Sequence, residues 1–336
     1  MREIGSEFWS QQSSAPSCYD DNEAYLLSGR TALKFIVDDI CSVKEFHKIL
    51  LPSYCCESMI EPFVASGIDT QFYQVYTDYL NYPYVNDANA ILLIDFFGYI
   101  ISENAEIARQ EKEAGKIVIY DATHNLDGNP AVEAYADYSF CSYRKWFYCN
   151  FAKATKRGGS FRKIEQKSND RYIALRNEAA REKEKYFMGE AIEKEAFLSL
   201  FSEAEQRLDE DYIGYTGEPV VFDLSEIVSA RRENAVYLIE QLKKIPEIKL
   251  WRDKVREDDV PMFVPILVDP LVRNDLRQEL INERIYCPIH WPVSSLHGEC
   301  NELYDMELSL ICDQRYGIAD MERIICVIRD YFKNRR

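Results

Sequence analysis

Apolar positions along the chain follow two spacings in turn. After a polar, Ser/Gln-rich opening, Tyr25-Leu26-Leu27 leads into Ser28-Gly29-Arg30-Thr31. Ala32, Leu33, Phe35, Ile36, Val37 and Ile40 then recur at helical spacing, which predicts a helix that opens at the Gly29 turn. Short apolar runs follow at Ile49-Leu50-Leu51, Phe72-Tyr73-Gln74-Val75, Ala90 to Asp95 and Ile117 to Asp121, separated by segments of helical character such as Ser102 to Lys116. Strands alternating with helices predict an α/β fold with a mainly parallel sheet covered on both faces. Ligands gather at the carboxyl ends of such strands, and Asp95, Asp121 and Ser142 fall there.

The second half continues the pattern with a change of composition. From about Lys163 to Leu208 the chain is rich in Glu, Lys, Arg and Ala, and reads as one or two surface helices with a solvated face joining two halves. Ser225 to Lys244 predicts a long helix, Pro261 to Val268 a strand, and Leu271 to Glu283 and Asp320 to Phe332 two further helices. The expected division is a large domain over residues 1–220 and a smaller C-terminal α/β domain over 221–336. No internal repeat or low-complexity tract interrupts it.

Composition narrows the partners. With 57 acidic and 40 basic residues in 336, the formal charge is −17, which repels nucleic-acid backbones, so no nucleic-acid partner is expected. An anionic ligand must be met by local basic residues and helix N-termini. The ten cysteines show no CxxC pair and no neighbouring His-x-x-x-His, so neither a metal site nor a disulfide scaffold is suggested; they read as buried thiols in a reducing cytosol. The N-terminus lacks the apolar core of a signal peptide, and no apolar run approaches membrane-spanning length. A soluble, cytoplasmic protein without a membrane partner is expected.

Candidate chemistry centres on Lys145. It lies three residues after Ser142 and downstream of the strand ending Ile119-Tyr120-Asp121-Ala122-Thr123-His124, with Trp146 and Phe147 beside it and Gly158-Gly159 beyond. A pyridoxal phosphate enzyme needs such a set: a lysine amine to form a Schiff base with the cofactor aldehyde, an aspartate to pair with the protonated ring nitrogen, and a serine hydroxyl to reach the phosphate. Taken singly, Lys145 reads more readily as a solvated surface lysine, and Asp121 reads also as a strand-end residue capping a turn.

In order and spacing these segments resemble the DegT/DnrJ/StrS-type sugar aminotransferases, over nearly the whole chain. Ser28-Gly29-Arg30-Thr31-Ala32-Leu33 is similar to the family's Ser-Gly-Thr-x-Ala-Leu turn, Asp121-Ala122-Thr123-His124 to its Asp-x-Ala-Gln/His strand end, and Ser142-Tyr143-Arg144-Lys145 to its serine-to-lysine loop. Arg231-Arg232-Glu233-Asn234 and Asp313-Gln314-Arg315-Tyr316 resemble two further landmarks. The resemblance implies the aspartate aminotransferase fold (fold type I), with a mainly parallel seven-stranded sheet flanked by helices in the large domain.

It also implies roles. Lys145 would be the catalytic lysine, held partly desolvated, and Asp121 the partner of the ring nitrogen. The phosphate would rest on backbone N–H groups of Gly29, Arg30 and Thr31, with Ser142 adding a hydroxyl. Thr123 would pack on a ring face and His124 lie near the ring hydroxyl. An aromatic ring stacks on the cofactor from the loop after the second strand, for which Tyr54 is the choice, although an ungapped match puts Cys56 there. His290, in Ile289-His290-Trp291-Pro292, is a candidate substrate contact.

The implied activity is transfer of an amino group from a donor such as glutamate to a keto acceptor, a nucleotide-linked sugar, by a homodimer with shared active sites. Alternatives within the fold are a lyase, desulfurase or racemase, and outside catalysis a regulator that keeps the fold.

Overall fold

A computed structural model describes residues 2–9, 14–16, 20–77, 80–83, 86–162, 169–210, 220–293, 295–297 and 301–335. The chain divides into two compact units, each discontinuous in sequence. One comprises Met1–Ser6, His47–Tyr135 and Leu224–Arg336, the other Glu7–Phe46 and Ala136–Asp223.

In the first unit the strands run Ile117–Asp121, Ala90–Ile94, Lys48–Pro52, Asp69–Val75 and Leu80–Asn81 in spatial order. The first four are parallel and the last is antiparallel. Every residue of Ala90–Ile94 and Ile117–Asp121 is buried, as expected for parallel strands covered on both faces. Their pairing sets Ile94 opposite Asp121, so the two carboxyl ends stand level.

Asp95 follows at that edge, but its carboxylate is engaged by the structure itself. It accepts from the Ile101 N–H and Asn104 Nδ2 on one oxygen and from the Tyr120 hydroxyl and Asn129 Nδ2 on the other. Four donors around one buried carboxylate anchor the turn into the Ser102–Glu113 helix and account for Asp95 without a ligand.

The C-terminal part of this unit is a smaller α/β layer. Lys249–Leu250, Phe263–Leu267 and Glu307–Ile311 form an antiparallel sheet. The helices Ser225–Leu242, Pro270–Asn282 and Ile318–Lys333 close on it through Leu238, Leu276, Ile324 and Ile328 against Ile266 and Leu310. The two landmark segments meet here: Asn234 Nδ2 donates to the carbonyls of Cys312, Asp313 and Tyr316, and Arg231 Nε to Gln314 Oε1.

In the second unit Ala152–Lys156 pairs antiparallel with Glu23–Leu26 on one side and Tyr138–Cys141 on the other. The expected helix is Gly29–Val43, and the charged segment forms Asp170–Phe187 and Lys194–Glu210. The solvated-face reading of these two helices holds only in part. Tyr172, Leu175, Ala179, Phe197, Ala204 and Leu208 are core, and Arg176 is buried with its guanidinium facing the rings of Tyr148, Tyr172 and Phe201.

The fold is thus α/β, with a large, mainly parallel sheet flanked by helices. Among the described residues the first unit has five such strands, the two-residue Leu80–Asn81 being the short edge, and the second has three, where the resemblance implies seven in the large domain. The cysteines depart from expectation at Cys41 and Cys326, which are exposed, while Cys18 and Cys300 lie outside the described residues. No described helix is long and apolar enough to cross a membrane.

Candidate active site

The expected site residues fall on both units. Tyr54, Asp121, Thr123, His124 and His290 belong to the first, and Gly29, Arg30, Thr31, Ser142 and Lys145 to the second.

In the second unit Ser28 is the N-cap of the Gly29–Val43 helix. Its Oγ accepts from the Thr31 N–H at 3.2 Å, and its own N–H donates to Thr31 Oγ1 at 2.9 Å. This reciprocal capping box takes up the Thr31 N–H that was assigned to a phosphate. The Thr31 hydroxyl donates to the Ser28 carbonyl, so Thr31 shapes the helix start. The partial positive charge of the helix N-terminus remains at Gly29 and Arg30, which are half-buried. A Cβ built on Gly29 would lie 3.3 Å from Ser142 Cβ and 3.8 Å from its Oγ. The lack of a side chain at residue 29 therefore keeps open a cradle between the helix start and the loop that carries the lysine.

That loop is short and fixed. Ser142, buried, ends the Tyr138–Cys141 strand and accepts from the Lys145 N–H through its carbonyl at 3.2 Å. The 3-10 turn Tyr143–Lys145 is closed by the Trp146 N–H on the Tyr143 carbonyl at 2.9 Å. Trp146 and Phe147 beside it are buried, while Lys145 is exposed. Gly158 and Gly159 follow in a positive-φ turn after Ala152–Lys156.

In the first unit Asp121 ends its strand fully buried, and its Oδ1 accepts from the Thr123 N–H at 2.8 Å. Burial pushes its carboxyl up to about 6, with the Thr123 hydrogen bonds pulling the other way. Among the described residues of its own unit no cation lies within ion-pair distance. A buried carboxylate of this kind is stabilised by a positively charged N–H donor, the chemistry a protonated pyridine nitrogen offers.

Three residues on, His124 Nδ1 accepts from the Phe97 N–H at 3.2 Å, so a neutral imidazole carries its proton on Nε2. Trp291 stacks on the His124 ring, with centroids 5.6 Å apart. His290 stands 6.0 Å away, also in contact with Phe97 and Phe263. The His290 N–H donates to Glu307 Oε2 at 2.7 Å, and Nδ1 is 3.0 Å from Ser309 Oγ. His290 is therefore anchored from below by a wholly buried carboxylate.

Tyr54 has a different place from the one expected. It is completely buried, its ring enclosed by Phe96, Phe97, Trp251, Trp291 and Tyr304, and its hydroxyl donates to the His290 carbonyl. Burial, with Glu307 nearby, drives its phenol well above the ordinary range. It is a core tyrosine with a satisfied hydroxyl, and no ring face is open to a ligand. Cys56, the alternative in that loop, is the N-cap of Glu57–Val64, with its thiol 3.0 Å from Ser58 Oγ.

Residues that sequence reasoning did not single out also surround the lysine turn. Arg144 is bound by Glu205 and Tyr172, and Arg176 approaches the same carboxylate. Glu205 and Arg176 lie on helices tens of residues away, and only a charged residue at a core-facing helical position hinted at them.

Neither a family model nor a curated protein matches the sequence. Solved structures do. PseC from Helicobacter pylori, an aminotransferase involved in the biosynthesis of pseudoaminic acid, superposes with a TM-score of 0.69 at 11% identity, covering 99% of this chain and 100% of that one. The aminotransferase TlmJ from Streptoalloteichus hindustanus gives 0.64 at 16% identity, covering 94% and 87%. NtdA from Bacillus subtilis, solved with bound cofactor PMP, gives 0.63 at 13% identity, covering 93% and 73%. At such identities the likeness is one of architecture, and the chain has the fold of these aminotransferases.

Proposed function

We propose that the protein is a pyridoxal phosphate-dependent aminotransferase that moves an amino group from an amino acid donor such as glutamate to a keto-sugar, the sugar being nucleotide-linked. The observation that carries this reading is the cradle at Gly29 and Ser142, with Lys145 presented on the turn that follows directly. The shared architecture supports it, since the aminotransferases above cover nearly the whole chain and one of them holds PMP.

In this reading the helix start at Gly29 and Arg30, with the Ser142 hydroxyl, would hold the phosphate. Asp121 would hold a proton on the ring nitrogen, and His124 would donate from Nε2 to the ring hydroxyl. Thr123 keeps the Asp121 carboxylate in place through its N–H. When bound, the cofactor supplies an electron sink for the substrate's Cα. Lys145 supplies the amine that attaches the cofactor, and that amine then moves a proton as general acid and base. His290, anchored by Glu307 and Ser309, would be a substrate contact. A homodimer with shared sites, working in the cytoplasm, completes the proposal.

Glutamate added to the cofactor-loaded protein, with no acceptor present, should yield about one 2-oxoglutarate per chain, as a half-reaction requires. Continuous release of ammonia or carbon dioxide without that stoichiometric product would refute transamination in favour of a lyase.

A further inference from the structure

Arg144 immediately precedes Lys145 on the 3-10 turn Tyr143–Lys145. Its guanidinium makes a two-pronged bond to one carboxylate, Nη1 to Glu205 Oε1 at 2.8 Å and Nη2 to Glu205 Oε2 at 3.0 Å. Nη1 also donates to the Tyr172 hydroxyl at 2.8 Å. A fork of this geometry fixes both the direction and the rotation of the side chain, and through it the backbone of a three-residue turn.

Glu205 serves a second cation. Arg176 Nη1 lies 3.5 Å from its Oε1, and the Arg176 side chain is only 2% exposed. Arg176 is itself held by Asn150 Oδ1 at 3.0 Å and by the surrounding rings, and reaches Glu7 at 3.9 Å. Burial pushes the Glu205 carboxyl up, but the charges of Arg144 and Arg176, with that of Lys145 adding to them, hold it below the usual carboxylate range. One carboxylate thus stands between two guanidiniums and within the field of the lysine amine. Among the described residues Tyr172, Tyr148, Cys149 and Glu7 also face this cluster.

We propose that Glu205 is a positioning residue for Lys145: through Arg144 it holds the turn that presents the lysine, and its charge balances the cations around the amine. This rests on the aminotransferase reading for its purpose, but not for its test. Loss of the Glu205 charge would leave Arg144 and Arg176 less compensated beside the amine, which favours the neutral amine. Loss of the Arg144 charge would do the opposite.

The test is competitive acetylation of Lys145 against pH, read by peptide mass spectrometry on the full-length, cofactor-free protein. Glu205→Gln should lower the labelling midpoint, Glu205→Asp should restore it, and Arg144→Gln should raise it. A purely structural role would not give opposite signs for the two charge removals. Midpoints that stay at the wild-type value, or that move in the same direction in both variants, overturn the proposal. If Glu205→Gln fails to fold, the Arg144→Gln shift alone decides: a rise supports the proposal, and no rise refutes it. Because no cofactor is present, failure here is distinct from failure of the cofactor reading, which shows as absence of cofactor trapped on Lys145 in the wild-type protein.

Discussion

A methyl group on Gly29 would lie 3.3 Å from Ser142 Cβ, tighter than ordinary van der Waals contact. Gly29 opens a helix and Ser142 ends a strand more than a hundred residues later, so the gap between them is made by the fold. Gly29→Ala should leave stability nearly unchanged, because alanine's better helix propensity offsets the close contact. Phosphate binding should suffer instead. Pyridoxal phosphate should bind about tenfold more weakly, about 1.4 kcal/mol, while unphosphorylated pyridoxal loses little. Parallel equilibrium titrations check this, and an equal loss for both ligands would count against a phosphate cradle.

Asp121 gives a prediction with a definite pH sign. Its folded-state carboxyl is raised from 3.8 to about 6, so the folded state favours the protonated form and its ionised form destabilises the fold. The penalty is absent at low pH, develops as pH rises through the unfolded value, and is complete above about pH 6. Asp121→Asn keeps an acceptor for the Thr123 N–H and removes the charge. In cofactor-free protein it should therefore raise stability by about 3 kcal/mol at pH 8, with the gain shrinking toward zero as pH falls to about 4. The same substitution should weaken cofactor binding. Urea unfolding at the two pH values provides the measurement, and a loss of stability at pH 8 would contradict the burial argument.

The framework was legible where the apolar pattern is unbroken. Ala90–Ile94 and Ile117–Tyr120 are short, continuous apolar runs, the pattern of strands covered on both faces, and they occur as read. Ser28 and Thr31 carry a capping signature, yet the ligand reading assigned the Thr31 N–H to a phosphate, when a local hydrogen bond already takes it. Tyr54 could not be placed by local sequence, because its surroundings come from Phe97, Trp251, Trp291 and Tyr304, brought together only by the tertiary fold. The Arg144–Glu205 pair was hidden for another reason. Charges at helical spacing are solvated far more often than buried, and only a core-facing helical position hints at the exception.

Asn234 tests whether the second pair of landmarks is architectural. Its side-chain amide satisfies three backbone carbonyls of the segment 312–316, all buried. Asn234→Ala should lower unfolding free energy by about 2 kcal/mol, because those carbonyls lose their donor in a site closed to water. It should leave the Lys145 labelling midpoint unchanged. A denaturation curve identical to wild type would show that the landmark serves something other than the fold.

Attachment of the cofactor to Lys145 is tested most directly by reduction with borohydride after incubation with pyridoxal phosphate, followed by peptide mass mapping. The expected result is the cofactor's mass on a single peptide, localised to Lys145, and no trapped cofactor in Lys145→Ala. Trapping at another lysine, or undiminished trapping in Lys145→Ala, would contradict the assignment.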